Sequence, residues 1–283
     1  MLDLFGQGWT TPALAYLVSV IGSYLGLSFA ARARATSGLF RWQWLVLAAV
    51  ALGGVAVWSM HFIAMMGFTV PGMAIRYDTF LTVVSGLTAV VVMGAALALT
   101  LFNPNTGRLL LSGTVAGTGV VAMHYTGMAS MNVHGSMHHD LFWVAVAILI
   151  ALVAATVALW CASRLDGQAA IVSASLLMGA AVSLMHYTGM VGMHVEQAEH
   201  APHNSPDGAT SYELLLPLVV GLFVLMLICS LFLLLGDADD RPRPRERAAH
   251  GSPEQRVPTG REPYRPRYAR DETRAEDFWS PRR

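Results

Sequence analysis

The residues best equipped for chemistry in this 283-residue chain are histidines and methionines, and they recur in a fixed order. Met60-His61-Phe62-Ile63-Ala64-Met65 returns as Met123-His124-Tyr125-Thr126-Gly127-Met128, and again as Met185-His186-Tyr187-Thr188-Gly189-Met190. On an α-helix, residues four apart share a face, which pairs His61 with Met65, His124 with Met128 and His186 with Met190. Met60, Met123 and Met185 are turned by about 100° from the histidine that follows and face an adjacent helix. Thioether sulfur is a soft ligand and imidazole a borderline one. Together, without a carboxylate, they favour copper, Cu(I) above all, over magnesium, calcium or manganese. Zinc would more often recruit cysteine or acidic ligands. Cys161 and Cys229 fall toward the other ends of their apolar runs, form no CxxC pair, and read as small packing residues.

A single such motif would read as packing, since methionine fills apolar helices and a lone histidine can bond to a neighbouring helix. Three copies at matched depth argue for ligation, because an ionisable group inside a membrane is costly and tends to serve function. Thr126, Thr188, Tyr125 and Tyr187 are placed to orient the imidazoles by hydrogen bonds, or to bond within and between helices.

The repeat extends upstream of the motif. Gly54, Gly117 and Gly179 sit six residues before the first Met, and Val57, Val120 and Val182 three before it. The glycines let helix backbones approach closely in lipid. Successive motif histidines are 63 and 62 residues apart, the length of a helical hairpin.

Composition supplies the setting. Hydrophobic residues make up 54% of the chain and charged residues 13%, with mean hydropathy +0.50. Apolar runs at 12–31, 42–67, 79–102, 109–131, 141–163, 169–193 and 214–235 each approach or exceed the ~20 residues needed to cross a bilayer. A β-barrel would show short alternating segments instead. The expected fold is an all-α membrane domain over 1–235, with seven spans as three two-helix repeats and a closing helix. With only six Arg and no Lys in those residues, nucleic-acid binding is excluded.

Arg32, Arg34, Arg41, Arg108 and Arg164 occupy loops on one side, against Arg76 alone on the other. The positive-inside rule places the N-terminus outside and the C-terminus inside. Each motif histidine then lies near the outer face, about seven residues or ~10 Å short of its helix end. The lack of a basic segment ahead of the first run speaks against a cleaved signal peptide. The outer loops add Met131, His134, Met137, His138 and His139, then Met193, His194, His200 and His203 with Glu196 and Glu199. Residues 236–283 hold twelve Arg and seven Pro and read as a disordered cytoplasmic tail, too polar and short for a catalytic output domain.

Three M-H-[FY]-x-[AG]-M copies on alternate helices of a seven-span body resemble the MHYT family of bacterial integral-membrane sensor domains. Met-His-Tyr-Thr stands literally at 123–126 and 185–188, and Met-His-Phe-Ile at 60–63. The resemblance implies a plasma-membrane sensor that binds copper through its Met and His residues and responds to a diatomic gas such as O2, CO or NO. Many relatives carry a fused cytoplasmic cyclase, phosphodiesterase or kinase. The family's suggested cysteine ligand has no counterpart at the right depth here. Partners are then the lipid bilayer and an unknown cytoplasmic signalling protein, and no enzyme activity is expected. Two other readings stay open, a b-type haem protein with two of His61, His124 and His186 as axial ligands, and a copper carrier or permease.

The orientation makes the first prediction. Single cysteines at Asn132 and Ser252 should label from outside at 132 only; the reverse pattern would invert the topology.

Overall fold

The structure, a computed structural model, describes residues 8–70, 73–102, 105–197 and 206–239. His200, His203, Glu199, most of the arginine-rich tail with His250, and the side chain of Cys229 lie outside the described residues. Among the described residues seven long helices carry the fold: α1 (Thr10–Ala35), α2 (Gly38–Met66), α3 (Thr79–Phe102), α4 (Thr106–Ala129), α5 (Leu141–Arg164), α6 (Gln168–Val191) and α7 (Ser211–Asp239). Six of them are long and apolar enough to cross a membrane. The other, α4, matches α3, α5 and α6 at 24 residues. Its apolarity is diluted by Gly113, Gly117, Gly119, Ser112, Thr114 and Thr118.

Those small residues are what let the bundle close. A Cβ at Gly53 would fall 2.5 Å from the Ala89 carbonyl oxygen, and one at Gly117 would fall 2.8 Å from the Leu152 Cα. Both helix pairs therefore pack backbone against backbone, which only glycine permits at those two points. The first motif helix, α2, is the most buried span. Its segment Val50–Ser59 is wound as π-helix and leads straight into Met60 and His61. Hydroxyls service the loosened turns: Ser59 donates to Gly54 O at 3.0 Å, and Ser19 of α1 donates to Ala56 O at 2.8 Å. The corresponding stretches of α4 and α6 are ordinary α-helix.

The expected arginine loops cluster at one end of the bundle, and the contacts there show a second use for the charge. Arg34 reaches Ala162 O and pairs with Asp166 at 2.6 Å, while Arg41 bonds Leu101 O and lies over the Phe102 ring at 4.2 Å. Cations thus sit on the last-turn carbonyls of α5 and α3, where the helix dipole is negative.

At the other end the motif helices stop earlier than sequence suggested. They close at Met66, Ala129 and Val191, with Gly67, Ser130 and Gly192 as C-caps. Each motif histidine is therefore five residues from its helix end, or about 7.5 Å, not seven. The chain turns there into two short antiparallel ribbons. Strand β1 (Arg76–Tyr77) pairs with β2 (Met131–Asn132), and β3 (Gly135–His139) pairs with β4 (Met193–Gln197). Side chains of Asp78 and Asp140 accept from Leu81 N and Phe142 N, both at 2.8 Å, and so start α3 and α5. Burial pushes the Tyr77 phenol up to about 12, so this residue of β1 stays protonated.

Candidate metal centre

His61 of α2, His124 of α4 and His186 of α6 are 1%, 0% and 1% exposed. Their Nδ1 atoms converge. His61 Nδ1 lies 3.0 Å from His186 Nδ1 and 3.2 Å from His124 Nδ1. The ring centroids stand 4.9, 4.9 and 5.3 Å apart, with interplanar angles of 78°, 83° and 86°. Three rings, each nearly perpendicular to the other two, thus aim one nitrogen apiece at a common point.

An imidazole nitrogen has a single in-plane position, holding either a proton or a lone pair. His61 Nδ1 therefore cannot make a full hydrogen bond to both neighbours. A cation where the lone pairs meet satisfies all three at once. Nitrogens bound to one ion at about 2.0–2.1 Å stand roughly 3.3–3.5 Å apart in tetrahedral or trigonal geometry. The observed separations are only slightly shorter, so the residues fit a metal with little movement. They do not fit haem. Two axial imidazoles lie on opposite faces of a porphyrin, and nitrogens in contact leave no gap for that plane.

The far edge of each ring explains the motif's small residue. A Cβ on Gly127 would fall 2.6 Å from His61 Nε2, and one on Gly189 would fall 2.5 Å from His124 Nε2. Each glycine is thus the seat for the imidazole of the preceding repeat. Both Nε2 atoms are buried without a hydrogen-bond partner. An orphaned N–H normally costs about 1–3 kcal/mol, and holding it there leaves Nδ1 free for a ligand. The residue after each histidine acts through its ring. Phe62, Tyr125 and Tyr187 stand edge-on to His61, His124 and His186 at 4.8, 4.9 and 5.0 Å. Phe62 does this without a hydroxyl, and the Tyr125 hydroxyl has no hydrogen-bond partner. Among the described residues no hydrogen bond joins the Thr126 or Thr188 hydroxyl to an imidazole. The orienting hydrogen bonds expected from the sequence are replaced by ring packing.

The methionines divide. Met65, Met128 and Met190 are 1%, 1% and 2% exposed and share one buried cluster with Met123, Met131 and Met193. Met60 packs into the larger core beside Ile63 and Ala64, and Met185 into a small group with Ala147 and Ala151. Met131 and Met193, counted above as loop ligands, each stand eight residues after the first Met of their motif and lengthen the repeat. Phe68 takes that place in the first copy. This third methionine was legible in the alignment of the copies.

The β3–β4 ribbon presents two faces. His138 pairs across it with His194, and His138 Nε2 lies 3.9 Å from Glu196 Oε2, all three exposed. His139, paired with Met193, turns the other way and stands edge-on to the Tyr125 ring at 5.4 Å. Burial, aided by the neighbouring His138, lowers the proton affinity of His139 below that of an ordinary histidine, which favours its neutral form.

A family profile described as "Bacterial signalling protein N terminal repeat" matches residues 54–114, 117–175 and 179–246, one match for each copy of the motif. The chain belongs to the MHYT family. Among curated proteins it is similar to the bifunctional diguanylate cyclase/cyclic di-GMP phosphodiesterase MucR of Pseudomonas aeruginosa, 39% identical over 63% of this chain and 27% of that one. It is also similar to the cyclic di-GMP phosphodiesterase NbdA of the same species, 35% identical over 71% and 26%, and to the signaling protein YkoW of Bacillus subtilis, 28% identical over 69% and 25%. The chain spans about a quarter of the length of these relatives. No solved structure matches it. Its apolar helices and its MHYT repeats make it a multi-pass plasma-membrane protein of bacterial signalling type.

The glycine seats make the second prediction. Gly127→Ala and Gly189→Ala should each lower the thermal stability of detergent-solubilised protein, by about 1–3 kcal/mol for forced overpacking. Gly221→Ala, at a position with no neighbouring atom within 4 Å, should not.

Proposed function

We propose that this MHYT protein is a non-catalytic membrane sensor that holds copper, as Cu(I), at the His61–His124–His186 triad. The observation that carries the reading is the meeting of three buried Nδ1 atoms, 3.0 and 3.2 Å along its two closest edges. Soft thioethers in the adjoining cluster, Met65, Met128 and Met190, favour copper over harder ions, and no carboxylate is buried among the described residues. Met123 belongs to the same cluster, while Met60 and Met185 serve packing. When bound, the ion supplies an electron-rich centre able to take a small ligand.

In the same reading all seven helices cross the plasma membrane, with the ribbon end outside and the arginine end toward a cytoplasmic signalling partner. Although α4 is diluted in apolarity, its length equals that of α3; its Ser112 is buried against α3, 2.6 Å from Thr100, while the exposed Thr114 returns its hydroxyl to Leu110 O on its own helix. A sensor is favoured over a permease because the buried polar groups toward the arginine end are serines and threonines alone, among the described residues. The soft side chains buried there, Met93, Met178, Met226 and Cys161, pack in the apolar core, and among the described residues no histidine or carboxylate is buried beside them.

Support for a diatomic signal comes from the layer beneath the triad. Val57, Val120 and Val182 each stand four residues before a motif histidine, one turn further into the bundle. They line a cavity of about 40 Å³ with Ser23, Leu52 and Met93. A largely apolar cavity of that size suits a small nonpolar gas better than a polar effector.

Two outcomes test the proposal. His124→Ala and His186→Ala should each weaken Cu(I) binding more than a hundredfold in competition with a Cu(I) chelator. Met128→Leu should weaken it less while keeping packing nearly intact, and Met93→Leu should change nothing. Wild-type affinity in both histidine variants would reject the copper reading. For the gas, carbon monoxide added to the Cu(I) protein should give a Cu–CO infrared band. That band should weaken or shift in Val120→Phe, which fills the cavity; an unchanged band would separate the cavity from the ligand.

A further inference from the structure

The ribbon that closes the triad's end of the bundle carries a histidine that the triad does not use. His139 ends β3 directly opposite Met193 of β4, so their side chains leave the ribbon on the same face. That face is the inward one. Met193 is 1% exposed, while His138 and His194, on the other face, are exposed. The His139 Nε2 atom is fully buried and has no hydrogen-bond partner. His139 is itself half-buried, and a histidine that served only to fill the ribbon's underside would not bury a polar nitrogen unpaired, which costs about 1–3 kcal/mol.

What surrounds it points to a ligand. Met193 shares its buried cluster with Met131, Met128, Met190 and Met65, so the ribbon's underside and the motif methionines belong to one thioether-rich cluster. His139 stands edge-on to Tyr125, whose ring in turn stands edge-on to His124, 4.9 Å away. An unpaired imidazole nitrogen opposite a buried thioether, with no acidic side chain buried among the described residues, is a donor set for a soft cation of single charge. A divalent ion would more readily be held on the outer face, where Glu196 stands.

We propose that His139 and Met193 form a second site, for a soft monovalent metal ion, at the mouth of the histidine triad. Its place between the ribbon and the triad makes it the step at which an incoming ion exchanges its water or carrier for protein ligands. That role rests on the copper reading of the triad, whereas the existence of the site does not.

Silver(I), a redox-inert soft cation, is the probe. Titrated into the full chain in detergent, it should bind in two classes, a tight equivalent at the triad and a weaker one at His139. His139→Gln and Met193→Leu, each checked by thermal unfolding to retain the wild-type fold, should weaken the second class at least tenfold and leave the first in place. In His124→Ala the second class should survive while the first is lost. A single class in the wild type, or a second class of wild-type affinity in both ribbon variants, would overturn the proposal. If two classes appear and only the His139 class responds to substitution, the triad reading fails and the outer site stands.

Discussion

Three imidazole nitrogens facing one another inside an apolar bundle dictate much of what surrounds them. Three lone pairs cannot crowd together at about 3 Å without a proton or a cation between them, and no arginine is buried among the described residues to supply the charge. The bundle also denies the rings an easy escape. Each is wedged between an aromatic ring on its own helix and, for His61 and His124, a glycine on the next motif helix. Rigid enclosure by packing, in place of hydrogen bonds to Nε2, holds the donors ready at the cost of two unpaired polar atoms. Such a cost is borne at sites that serve function.

Repetition builds the triad, and departures from repetition make it asymmetric. Three hairpins give three histidines at one depth, yet His61 is the hub, in contact with both partners. It rides on the helix that differs most, with the π-helical segment Val50–Ser59 just ahead of it and Ala64 where the other copies have glycine. π-helical turns are frequent at functional sites because they re-aim side chains without breaking the helix. Here the turn sits where rotation of one helix would alter two nitrogen contacts at once.

Much of this was legible in the sequence, because membrane helices and repeated motifs leave simple traces. The three histidines, their partner methionines and their common depth follow from 3.6-residue periodicity and the hairpin-length spacing. Other features depend on tertiary contact and leave none. Periodicity cannot tell that Tyr125 would use its ring edge and not its hydroxyl, since both face the same way. Nor can it divide Met123 from Met60 and Met185, which hold the same place in their motifs yet pack in three different clusters. The helix ends at Ala129 and Val191 were overrun because Met131 and Met193 are apolar; they continue the hydrophobic pattern while the backbone has already turned into strand. His139 looked like one more loop histidine until strand pairing set its face against that of His138. The π-helical turn arises from close packing of Gly53 and Ala56 against α3 and α1, which no local signal encodes.

The central claim is that the three Nδ1 atoms bind one copper ion together. X-ray absorption at the copper edge of protein loaded with one Cu(I) tests it most directly. The account predicts imidazole scattering from two to three histidines at about 2.0 Å, with any thioether sulfur at longer distance, and loss of one imidazole when His186 is replaced by alanine. A spectrum with sulfur ligands alone, or one that His186→Ala leaves unchanged, would contradict it.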